Sequence, residues 1–154
     1  PALGFLGGDL RIEGAEDLTK IYTLVLPSTG GDFRITGATA LKTVLADELT
    51  EAGGAVIISG SPDLVTFTMP GLTTTGGDLA LNNTGLASLA FYGLQTVGGE
   101  LSVGSNAALT SFRATELTEV TGSVTVIEND VLAVLELPKL TSASSLVVSN
   151  NPAR

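Results

Sequence analysis

The sequence predicts an all-β fold, a parallel β-solenoid of about six and a half coils of 22–23 residues each. Three observations predict it. A Gly-Gly pair returns at a fixed interval, an apolar-x-apolar alternation follows each pair, and no segment sustains a helical period.

The interval comes first, because a repeat of 20–50 residues defines the architecture. Gly-Gly stands at Gly7-Gly8, Gly30-Gly31, Gly53-Gly54, Gly76-Gly77 and Gly98-Gly99, and the same place reads Thr121-Gly122 and Ala143-Ser144. The starts at 7, 30, 53, 76, 98, 121 and 143 are separated by 23, 23, 23, 22, 23 and 22 residues. Counting slots from the first glycine, apolar residues fill slots four and six of every copy. They are Leu10/Ile12, Phe33/Ile35, Val56/Ile58, Leu79/Leu81, Leu101/Val103, Val124/Val126 and Leu146/Val148. Alternation with period two marks a strand with one buried face.

Three further slots are apolar throughout. Slot twelve holds Leu18, Leu41, Leu64, Leu86, Leu109 and Leu132, with one deletion in the fourth copy. Slot fifteen holds Ile21, Val44, Phe67, Leu89, Phe112 and Leu135, and slot twenty holds Leu26, Leu49, Leu72, Leu94, Leu117 and Leu140. One copy cannot bury these alone, but stacked copies share a continuous core. At about 4.8 Å per coil the stack is a rod of roughly 30 Å, with three or four short strands per coil. Gly-Gly, Pro27, Pro70 and Pro138 oppose helix.

The expected organisation is a single repeat domain over residues 1–154, standing alone or as part of a longer array. No apolar run is long enough for a transmembrane helix, although mean hydropathy is +0.41. The net charge is −9, and no Lys or Arg occurs from Thr43 to Phe112. Nucleic acid needs a basic stripe, so no nucleic-acid partner is expected, and anionic membrane surfaces are disfavoured. There is no Cys and no His, which removes catalytic triads, disulfides and the common zinc sites. Carboxylate-pair hydrolysis remains chemically open, with Asp47-Glu48 and Glu128/Asp130 as the acids, but both groups fall in expected turns. The expectation is no enzyme, no catalytic residue, no cofactor and no metal ligand.

Four patterns carry a choice between architecture and chemistry. Slot three reads Asp9, Asp32, Ala55, Asp78, Glu100 and Ser123. Stacked carboxylates repel unless a cation such as calcium bridges them, whereas Asp after Gly-Gly also accepts backbone N–H groups. Asn106, Asn129 and Asn151 form a second ladder that satisfies backbone groups, with Gly14, Gly37 and Gly60 one slot earlier expected to serve the same purpose in the first three copies. The rows Thr43, Thr66, Ser88, Ser111 and Thr50, Thr73, Gln95, Thr118, Thr141 would suit ice if flat and exposed, but Thr is also ordinary on an exposed strand. Asn82-Asn83-Thr84 is a glycosylation sequon.

The repeat resembles the receptor-L-domain-like leucine-rich family of cell-surface proteins. The resemblance rests on Leu94-Gln-Thr-Val-Gly-Gly-Glu-Leu101-Ser-Val-Gly-Ser-Asn-Ala-Ala-Leu109-Thr-Ser-Phe112 and on Leu146-Val-Val-Ser-Asn-Asn-Pro152, and it covers the whole chain. It implies a right-handed solenoid, extracellular or at the cell surface, with a non-catalytic structural, adhesion or ligand-binding role. The cysteines that cap receptor L domains are absent, so a growth-factor-receptor role does not follow. The alternatives are a solenoid that binds carbohydrate, calcium or ice, and a β-helix carbohydrate-active enzyme. The latter lacks the basic residues that chemistry needs in coils three to five.

The two ends carry a further expectation. Asn150-Asn151-Pro152-Ala153-Arg154 reads as slots eight to twelve and Pro1-Ala2-Leu3 as slots ten to twelve, with no capping element at either. Either the array continues or copies stack head to tail into a filament, a self-association through protein–protein contacts.

Overall fold

The computed structural model describes residues 4–22 and 25–152. Among these residues there are eighteen strands and no helix, and every pairing is parallel. The chain winds so that each coil adds one layer to three walls.

The first wall is a seven-stranded sheet. Its strands are β1 (Leu10–Glu13), β4 (Phe33–Thr36), β7 (Val56–Ser61), β10 (Leu79–Thr84), β13 (Leu101–Gly104), β16 (Ser123–Ile127) and β18 (Ser145–Ser149). The second wall is two separate three-stranded sheets. One holds β2 (Lys20–Tyr22), β5 (Thr43–Leu45) and β8 (Thr66–Thr68), and the other β11 (Ser88–Ala90), β14 (Ser111–Arg113) and β17 (Val134–Glu136). The third wall is β3 (Ser28–Thr29), β6 (Glu51–Ala52), β9 (Thr74–Thr75), β12 (Thr96–Val97) and β15 (Glu119–Val120).

The registers reproduce the slots. Phe33 pairs with Val56, Leu79 with Leu101 and Val124 with Leu146, so slot four stacks on slot four. In coils two to six the slot-four and slot-six side chains are fully buried. Leu10 and Ile12 in the first coil are half-buried, and Leu146 and Val148 in the seventh are 58% and 48% exposed. An inward slot is covered only when a coil lies on each side of it, and no described strand pairs beyond β18.

The core also uses two slots that the apolar pattern does not reveal. Slot seventeen is buried as Ala46, Met69, Phe91 and Ala114, and slot twenty-three as Thr29, Ala52, Thr75, Val97 and Val120. They escape notice because several are small or polar, and Ala or Thr in isolation gives no periodic signal.

Both 22-residue copies interrupt a sheet. The fourth lacks a residue between Thr84 and Leu86: Thr84 pairs with Ser61, yet its slot-twelve leucine comes two residues later rather than three. The turn closed by the amide of Leu64 on Ser61 O (3.0 Å) recurs at Leu18, Leu41, Leu109 and Leu132 but not at Leu86. At that level β8 and β11 part company. The sixth copy is short at slot twenty-three, and there the third wall narrows to one bridge, Glu119 to Ser142.

The placement Pro1-Ala2-Leu3 falls outside the described residues, as do Ala153 and Arg154. Leu6 bridges Thr29, which puts it in slot twenty-three of a preceding partial coil.

Candidate functional site

Most of the polar ladders read from the sequence are used up in joining one coil to the next. Asp9 Oδ1 accepts the amide of Asp32, Asp32 Oδ1 that of Ala55, and Asp78 Oδ1 that of Glu100, each at 2.8 Å. The amide belongs to the coil ahead, not to the aspartate's own turn. The glycines of slot two make room for this. A Cβ on Gly31, Gly54 or Gly99 would fall inside the carboxylate Oδ1 of Asp9, Asp32 or Asp78. In the last copy slot two is Ser144, and the residue one coil earlier is Ser123 rather than an acid.

Asp9 and Asp32 lie on adjacent layers, and the cation between them is Arg11, 2.8 Å from Asp9 and 3.6 Å from Asp32. Arg34 adds a contact of 3.4 Å to Asp32. The amide of Ala55 holds the Asp32 carboxyl below the usual range, with burial opposing and Arg34 and Arg11 assisting. Among the described residues no three acidic, His or Cys side chains converge on one point.

Two of the three ladder asparagines, Asn106 and Asn129, are buried, and Asn151 is half-buried. Asn129 Nδ2 donates to Val103 O and Ile127 O at 3.0 Å, while its Oδ1 accepts the amide of Asn106 at 3.2 Å. Asn106 in turn serves Leu81 O and the amide of Thr84, and Asn151 serves Val126 O. The expected left-handed turn at Gly14, Gly37 and Gly60 is present, but it is common to all coils and does not take the place of the asparagines. Slot eight is left-handed in every coil: Gly14, Gly37 and Gly60, then Asn83, Ser105, Glu128 and Asn150 at φ of 54–56°. The residues that alternate with the ladder asparagines are Ala15, Ala38, Ser61 and Thr84 in slot nine.

The threonine row is occupied too. The hydroxyls of Thr50, Thr73, Thr118 and Thr141 each donate to the carbonyl of the coil before, at 2.9–3.1 Å. The other row is broken, because Thr43–Thr66 and Ser88–Ser111 pair but Thr66 and Ser88 do not. Asn82 lies in β10 with its Oδ1 accepting from Ser102 Oγ at 3.3 Å.

The two acid pairs differ. Glu128 and Asp130 line one shallow hollow with Ser105, whose hydroxyl donates to Glu128 at 2.9 Å. Asp47 and Glu48 are both exposed, and Asp47 accepts a hydrogen bond from the hydroxyl of Thr68. Asp47 also lines a cleft of about 480 Å³ with Phe67, Met69, Ser88, Ala90 and Tyr92. That cleft lies where the second wall divides. The deletion in the fourth copy marks this level in the sequence, whereas the bulky pairs at slots fifteen and seventeen show only once slot seventeen is known to face inward.

The described residues therefore define an all-strand parallel β-solenoid of about six turns. Compared with protein-family models, with characterised proteins and with solved structures, the chain finds no match in any of the three.

Proposed function

We propose that the chain is a non-catalytic module of the receptor-L-domain-like leucine-rich type, working outside the cell or at its surface in adhesion or structural assembly. The observation that carries the reading is the free edge of β18. Its five residues, Ser-Leu-Val-Val-Ser, are all exposed and uncharged, and among the described residues only β16, on the inner side, pairs with them. Soluble proteins usually blunt such an edge with charge, proline or a covering loop. β1 is the opposite edge of the same sheet, so β18 of one copy and β1 of a second continue the parallel register. The contact is heterologous and repeats, giving a filament. The aspartate, asparagine and threonine ladders support a scaffold reading, because their polar atoms serve the joints between coils.

Sedimentation velocity across a wide concentration range tests the assembly. The 154-residue chain should grow in mass with concentration, and Leu146→Lys with Val148→Lys should hold it monomeric with an unchanged circular-dichroism spectrum. A chain that stays monomeric at every concentration overturns assembly through this edge. Protease added to intact producing cells tests the external location, which an intact chain would refute.

A further inference from the structure

We propose that the cleft in the second wall is a binding site for a neutral pyranose sugar. The cleft is built by the sequence rather than left by chance. Coils two and five pair a larger residue at slot fifteen with alanine at slot seventeen: Val44 with Ala46, Phe112 with Ala114. Coils three and four place two large residues there, Phe67 with Met69 and Leu89 with Phe91. Two overfilled layers meet where the turn before Leu86 is one residue short. Phe67 is left only half-buried, with its ring edge-on to Phe91 at 6.0 Å and 70°. Inward-slot phenylalanine thus becomes part of the surface.

The lining gives the ligand class. Tyr92 presents its ring at 62% exposure beside Phe67, and aromatic faces stack on the C–H face of a sugar ring. Asp47, Thr68 and Ser88 supply a carboxylate and hydroxyls around it. β8 and β11 are the terminal strands of their sheets, so their backbone groups facing the break have no partner strand. A ligand with hydroxyls around an apolar ring matches that mixture. Aromatic surface with a few placed polar groups in a cleft of several hundred Å³ is the usual make-up of a small-ligand site. Anionic ligands are disfavoured, because the chain carries no Lys or Arg from Thr43 to Phe112 and Asp47 is at the site. An inserted peptide strand is also disfavoured. β7 stays paired with β10 and β9 with β12 at the same level, which holds the coils one strand-spacing apart, and an added strand needs about twice the 4.8 Å available.

The test is a titration of the isotope-labelled 154-residue chain, followed by amide resonances. The probes are neutral trisaccharides of glucose, of mannose and of N-acetylglucosamine, with a galacturonate trisaccharide as the anionic control. At least one neutral probe should shift residues 66–69 and 88–92 and leave the first wall unchanged. Tyr92→Ala should weaken binding roughly tenfold while leaving the fold intact, since its ring lies outside the core. Asp47→Asn should keep most of the affinity and Asp47→Ala should lose more. An alanine inserted between Gly85 and Leu86 should restore pairing of β8 with β11 and abolish binding. No shifts with any neutral probe, equal binding of the uronate, or an indifferent Tyr92→Ala would each overturn the proposal. None of these outcomes depends on the β18 edge.

Discussion

The carboxylate Oδ1 of Asp32 occupies the space that a side chain on Gly54 would need. The same oxygen accepts the amide of Ala55, so it cannot move aside without losing that bond. Gly54→Ala should therefore destabilise the fold by about 1–3 kcal/mol, the usual range for overpacking a tight site. Gly77→Ala is the comparison, since Ala55 rather than an acid faces it, and urea denaturation should show the smaller loss there. Equal losses would mean that backbone crowding alone sets the cost.

Asp32 also gives the fold a pH dependence. Its folded pKa is depressed, first by the bond from Ala55 and then by Arg34 and Arg11. A depressed acid stabilises above its unfolded value and loses that contribution as pH falls through the folded one. Thermal stability should drop below about pH 4, where aspartates protonate in the unfolded chain. Asp32→Asn should remove part of that slope. A wild-type midpoint that does not fall between pH 5 and pH 3 would contradict the assignment.

The central core predicts a familiar penalty. Ile58 is fully buried between Ile35 and Leu81. Ile58→Ala should cost about 2–4 kcal/mol through lost burial and a cavity. Val148→Ala, the matching slot at an exposed layer, should cost much less by the same denaturation measurement.

Slot nine offers two opposite outcomes. Asn129→Ala strips partners from Val103 O, Ile127 O and the amide of Asn106, and should cost roughly 2–4 kcal/mol. Ser61 is fully buried and its hydroxyl has no hydrogen-bond partner among the described residues. Ser61→Ala should therefore raise stability by about 1 kcal/mol. A destabilising Ser61→Ala would reveal a partner for that hydroxyl.

The architecture was legible because its signal is redundant. Slots four, six, twelve, fifteen and twenty repeat six or seven times, and a strand with one buried face needs only that alternation. What stayed hidden depends on a neighbour one coil away. Ala46 reads as nothing special until Val44 and the layer above it are in place. Glu128 gives no hint that its backbone is left-handed, since only its alignment with Gly14 shows it. The cleft was hidden for the same reason: Phe67 and Leu89 both belong to an apolar slot, and only the short turn before Leu86 makes their layers disagree.

The divided wall also has a mechanical meaning. Where hydrogen bonds tie all three walls, a solenoid resists bending about equally in every direction. Between coils three and four only the first and third walls are tied. Flexing that opens the second wall stretches no interstrand bond there, whereas flexing the other way must stretch the first wall, whose strands are longest at this level. The rod is a leaf spring with one soft direction at its midpoint, and pulling on its two ends should bow it toward the face that carries Tyr92.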